Sequence, residues 1–136
     1  MSIDQAQSSI NEEIAKLNGD AERIVFYLLT LGQRNPGMES SYRTEENLVK
    51  GCHTKIWFRT ATRNNRVYLS VDSNTMITKG LGSLLVRLLD GQRPDDILNA
   101  DLQLFFQKQF ARYMGSDRSD GFNRMIRHLK VAVGQL

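Results

Sequence analysis

Only one part of this chain alternates. Over KIWFRTA (55–61) and RVYLSVD (66–72), β-branched and aromatic residues recur with a period of two, and the polar RNNR between them carries turn-forming asparagines. The spacing predicts one β-hairpin, with Val67, Leu69 and Val71 on one face and Tyr68 and Ser70 on the other. A single hairpin cannot bury its own apolar face, so the remaining segments must cover it.

Those segments have helical spacing. Ile10, Ile14 and Leu17 predict a first helix over 9–17, stopped by Asn18-Gly19. Asp20 is suited to cap a second helix over 20–31. That segment, ERIVFYLLTL, is apolar nearly all round and is expected to be largely buried, with Gly32 as its C-terminal glycine and Asn35-Pro36-Gly37 opening a loop. After the hairpin, Asp72 and Ser73 are placed to cap a helix whose Ile77, Leu81, Leu84, Leu85 and Leu88 share one face. Gly80 and Gly82 in that helix oppose its propensity and imply close approach of another backbone. Pro94-Asp95-Asp96 starts a short helix, and Phe105, Phe106 and Phe110 belong to another. Gly115-Ser116-Asp117 breaks the pattern before a last amphipathic helix carrying Phe122, Met125, Ile126, Leu129 and Val133. Two helices, a hairpin and four helical pieces read as α+β, one domain over 1–136.

Composition narrows the function classes. No apolar run approaches a membrane span; the longest, IVFYLLTL, has eight residues. The N-terminus lacks a basic stretch followed by an apolar one, so no secretory signal is expected and a cytoplasmic location is. One cysteine and two histidines fall short of a typical structural zinc set, so no metal is expected. Eighteen cations against fifteen anions, net +3, describe a mixed solvated surface. No phosphate-binding glycine loop is present. The adjacent acidic pairs Glu12-Glu13, Glu45-Glu46 and Asp95-Asp96 read as caps and solvated faces near helix starts.

The single cysteine, Cys52, stands in LVKGCHTKIWF at the border between a loop and the first strand. Two readings stand on the residues alone. Free cysteines are commonly buried and inert. Against that, Gly51 suits a loop tip, and Lys50, His53 and Lys55 bring positive charge that favours a thiolate. A hydrolase nucleophile would need His53 or His128 as base. Neighbours on an extended strand point apart, however, and His128, among Arg124, Arg127 and Lys130, reads as a solvated surface histidine. Trp57, Phe58 and Tyr68 beside Arg59, Arg63 and Arg66 suggest a single-strand nucleic-acid platform, although hairpin aromatics commonly pack under helices.

VKGCHTKIW resembles the V-x-G-C-[QH]-[ST]-x-V-W motif of the SufE family of sulfur-acceptor proteins. ERIVFYLLTLGQRNP, RTEENLVKGC, DSNTMITKGLGSLLVRLLDGQRPDDIL and SDRSDGFNRMI are similar, in order, to further segments of that family, over about 20–136. The resemblance implies an α+β fold of the kind shared with iron–sulfur scaffold proteins. It also implies a sulfur acceptor and activator of a pyridoxal-phosphate-dependent cysteine desulfurase. On that resemblance Cys52 would take the sulfur-accepting position and carry a covalent persulfide as intermediate. Gly51 shapes the cysteine loop, Asp72 and Ser73 lie near it, and Arg118 and Gly121 belong to its neighbourhood or to the docking face.

The implied partners are a SufS-like or CsdA-like desulfurase and a downstream SufBCD-type scaffold, with no nucleic acid and no membrane. The chain itself is expected to bind no cofactor and to be a monomer or homodimer. His53 and Lys55 replace the family's usual glutamines, and Asp120-Gly121-Phe122 replaces its N-G-L, departures that bear on partner choice. Because an exposed persulfide is lost to oxidants and small thiols, Cys52 is expected to be partly shielded at rest.

Overall fold

A computed structural model describes all of residues 1–136. Its first helix, α1 (Ile3–Ala15), begins earlier than the spacing of its isoleucines predicts. The reason is a capping box. Ser2 Oγ accepts from the Gln5 N–H at 3.1 Å, and Gln5 Oε1 accepts from the Ser2 N–H at 2.8 Å. Asp20 caps α2 (Ala21–Arg34) as expected, its Oδ1 accepting from the Arg23 N–H at 3.1 Å.

Two expectations for α2 fail. The helix runs through Gly32 and ends at Arg34, so Gly32 is a packing glycine rather than a terminator. Nor is α2 buried all round: Ile24, Leu28 and Gly32 face inward, while Phe26 is 69% exposed. Only α3 (Met76–Leu89) covers α2 extensively, which leaves its opposite face bare.

The hairpin is β1 (Ile56–Arg63) and β2 (Arg66–Ser73), paired from Ile56↔Ser73 to Arg63↔Arg66. Asn64 and Asn65, at φ 54° and 59°, form the two-residue turn whose twist matches the strands. Ile56 and Phe58 join Val67, Leu69 and Val71 on the buried face, beneath α3 and α6 (Ser116–Gly134). Backbone bonds from loops cover both edges: Val49 N–H to Ile56 O and Phe58 N–H to Asn47 O, each 2.9 Å, and Val67 N–H to Gln92 O at 2.8 Å.

Asp72 does not cap α3. It lies within β2, and the N-cap of α3 is Thr75, whose N–H reaches Ser73 Oγ at 3.3 Å. Gly80 lies where a Cβ would collide with the Leu28 carbonyl of α2, and Gly82 faces Val71, Ile56 and Phe58. Pro94 occupies the first turn of α4 (Pro94–Asn99), and Asp101 caps α5 (Leu102–Gln109). Phe106 stacks on Phe122 of α6, their centroids 4.2 Å apart. Within α6, Phe122, Met125, Ile126, Leu129 and Val133 are all buried, as their spacing predicts.

Glu12-Glu13 lies at the end of α1 rather than at a helix start. There Glu13 pairs with Arg87 of α3 and accepts from Tyr27 of α2 at 3.0 Å, stitching three helices together. Burial, with the Glu13 charge behind it, pushes the Tyr27 hydroxyl up to about 12. Glu45-Glu46 also misses a helix start and sits in a turn. No helix is long and apolar enough to cross a membrane.

Candidate functional site

Between α2 and β1 the chain runs from Asn35 to Lys55 with only a single 3₁₀ turn, Ser40–Tyr42. Two sets of contacts fix this stretch. The first centres on Asp72, 4% exposed, whose Oδ2 accepts from the Met38 N–H at 3.1 Å and from Arg43 Nη2 at 2.6 Å. Its Oδ1 accepts from the Ser73 N–H at 2.9 Å and lies 3.9 Å from Lys79 Nζ. Burial pushes the Asp72 carboxyl up, but the Met38 amide, the Arg43 guanidinium and the Ser73 amide outweigh it and hold it below the usual carboxylate range. The second set frames the cysteine. Buried Val49 bonds Ile56, and the Lys55 N–H donates to Asn74 Oδ1 at 3.1 Å while Lys55 O accepts from Ser73 Oγ at 2.6 Å.

The Asp72 contacts carry a stability prediction. A group held at a lowered pKa in the fold stabilises above the ordinary carboxylate range and loses that contribution as pH falls through its folded value. Asp72→Asn is therefore expected to cost about 2 kcal/mol at neutral pH. Urea melts should show the gap from wild type narrowing in acid, where Asp72 is itself protonated. A gap independent of pH would contradict this account.

Cys52 follows Gly51, whose φ of +85° only glycine adopts without strain. The thiol is half-buried and packs against the edge of the core, in keeping with a shielded resting position. It lines a cavity of about 540 Å³ together with Gly51, Thr54, Thr75, Thr78 and Arg124. His53, Arg118 and Gly121 line the same cavity, so four of the neighbours named from the sequence do converge on the cysteine. Asp72 and Ser73 are not among the residues lining it: Asp72 faces the 37–43 loop, and Ser73 reaches the site indirectly, its Oγ donating to the Lys55 carbonyl and accepting from the Thr75 N–H.

The expected source of positive charge is wrong. Lys50 is taken up by Glu45, and exposed His53 lies 4.0 Å from Asp117 Oδ2. Burial pushes the Cys52 thiol up, and the cation that draws it back is Arg124 of α6. Arg124 was legible only as one of several basic residues on that helix. Its guanidinium packs directly on Gly51, where a Cβ would meet Nη1.

His128 also departs from expectation. Rather than a solvated surface residue it is half-buried, its ring 6.5 Å from that of Phe58, and burial followed by the Lys50 charge pushes its pKa down. It faces a second cavity of about 680 Å³, which includes Lys50, Phe58 and Arg127 but not Cys52. Neither histidine is set as a base against the thiol. The nucleic-acid platform is not assembled either. Phe58 is buried, and Arg59 and Arg63 already cover Tyr42 and Tyr68, at 4.0 and 4.9 Å from the ring centroids.

Residues 8–133 match the family model described as SufE, Fe-S metabolism associated domain. The fold is similar to the solution structure of a hypothetical protein from Thermus thermophilus, with a TM-score of 0.78 and 18% identity over 96% of this chain and 94% of that one.

Proposed function

This chain belongs to the SufE family of Fe-S metabolism domains, and from that premise we propose that Cys52 accepts sulfur from a cysteine desulfurase and passes it on for iron–sulfur cluster assembly. The observation that carries the reading is the setting of the only thiol: half-buried, on a short segment fixed at both ends, in a cavity with one cation beside it.

The step is thiol–disulfide exchange in form. The Cys52 thiolate attacks the outer sulfur of a persulfide on the desulfurase. A new S–S bond forms at Cys52 as the old one breaks, and its electron pair leaves with the desulfurase thiolate. The proton lost by Cys52 goes to that thiolate or to solvent, and no external oxidant or reductant is consumed. With no second cysteine in the chain, no internal thiol can discharge the product.

The raised pKa of Cys52 suits a carrier at rest, because a protonated, shielded thiol resists oxidation. Pyridoxal phosphate stays with the partner in this scheme. The departures at His53 and Lys55 fall on the exposed side of the loop, where a docking partner would read them.

The test is direct. Incubated with a cysteine desulfurase and cysteine in the absence of reductant, the chain is expected to gain the mass of one sulfur. Peptide mapping should place it on Cys52. An unchanged intact mass, with the desulfurase demonstrably turning over, would sink the proposal.

A further inference from the structure

Arg124 lines both the cysteine cavity and the His128 cavity, and its guanidinium rests on Gly51 beside Cys52. The chain's ion pairs engage Arg43, Lys50, His53, Lys79 and Arg87, and Arg124 is in none of them. Arg124 is exposed, so it is not an enclosed charge, but its guanidinium is held against the cysteine loop with no carboxylate partner and is free to pair with an anion there. The same cavity holds a second unmet group: Thr75 Oγ1 is buried and has no hydrogen-bond partner. That buried hydroxyl costs free energy unless something in the cavity answers it.

A negative charge on the Cys52 sulfur would answer Arg124, and an atom added beyond Sγ would extend into the cavity that Thr75 lines. The added atom of a persulfide lies about 2 Å beyond Sγ. It carries negative charge more readily than the thiol does, because a persulfide is the stronger acid. The other charged side chains around the cavity are Arg118, Asp117 and Asp120 on α6 and His53 on the loop, with Lys50 bound to Glu45. Asp117 faces His53, and α3 contributes hydroxyls and apolar groups but no charge to this wall.

We propose that Arg124 is a positioning residue that holds the negative charge of the Cys52 sulfur, as thiolate before transfer and as persulfide after it, with the Thr75 hydroxyl donating to the added sulfur. The persulfide half rests on the sulfur-acceptor reading; the thiolate half does not.

Two measurements separate them. The first follows iodoacetamide alkylation of the free chain against pH by intact mass, for wild type, Arg124→Gln and Arg124→Lys, with thermal melts confirming that each is folded. Arg124→Gln is expected to move the profile to higher pH and slow alkylation about 3- to 10-fold at neutral pH. Arg124→Lys should stay near wild type. Superimposed wild-type and Arg124→Gln profiles, or a lysine variant as slow as the glutamine one, overturn the proposal.

The second loads Cys52 chemically with sodium polysulfide and follows the persulfide by mass. Its lifetime should shorten in Arg124→Gln and in Thr75→Val; unchanged lifetimes in both overturn the persulfide half. A shifted alkylation profile with no sulfur gained from a desulfurase keeps the hold of Arg124 on the thiolate and defeats the acceptor reading instead.

Discussion

A Cys52→Ser chain is expected to gain no sulfur from a working desulfurase, a loss from one sulfur per chain to none. Serine is nearly the same size and the site is only half-buried, so the fold should survive with a change within about 1 kcal/mol. The chemistry does not survive. A hydroxyl stays protonated at any pH at which the protein is folded, and an alkoxide is no substitute for a thiolate in attack on a persulfide sulfur. The variant also separates two ways of helping a desulfurase. If stimulation of cysteine turnover needs an open acceptor thiol, Cys52→Ser abolishes it along with the adduct. Full stimulation by the serine variant would identify a binding module instead, and a sulfur adduct on it would place the acceptor elsewhere.

Gly80→Ala is expected to lower stability by about 3 kcal/mol or more, read as a melting temperature about 10 °C lower. Helix propensity alone predicts the opposite sign, a gain of about 1 kcal/mol. Sterics decide the matter. The new Cβ would lie 2.8 Å from the Leu28 carbonyl carbon and closer still to its oxygen. That obstacle is backbone, so relief requires the two helices to separate. Gly32 returns the contact from α2, where a Cβ would stand 2.5 Å from Met76 O and 3.1 Å from Gly80 N. A melting temperature equal to or above wild type would show that the α2–α3 seam yields cheaply.

Much of this fold is legible because periodicity is local. The alternation of Val67, Leu69 and Val71 and the spacing of Phe122, Met125, Ile126, Leu129 and Val133 are properties of neighbouring residues, and all eight are buried as expected. Gly32 shows where locality ends. A helix-terminating glycine and a seam glycine are the same letter, and only the approach of Met76 and Gly80 distinguishes them. Phe26 fails similarly, since an apolar helix reveals nothing about how many of its faces find a neighbour.

The site divides along the same line. Cys52, Gly51 and His53 are adjacent in sequence, and Arg118 and Gly121 came with the family resemblance. Arg124 was hidden because α6 also carries Arg118, Arg127 and Lys130, and which cation meets the thiol depends on how that helix rolls against the loop. Asp72 was legible as an acid next to a helix but not as the anchor of Arg43 and Met38, which approach from a loop without periodicity.

The bonds that frame the cysteine also set a length. Val49 is held to Ile56, and Lys55 to Asn74 and Ser73, so the span without backbone hydrogen bonds is residues 50–54 with Cys52 at its midpoint, tied to α3 only by the Thr54 hydroxyl on Thr78. Three Cα-to-Cα steps separate Cys52 from either anchor, a tether of at most about 10 Å when fully extended. A donor sulfur recessed farther than that behind its own surface is out of range, however well the two surfaces fit. Reach, as much as reactivity, therefore selects the protein with which this thiol can trade.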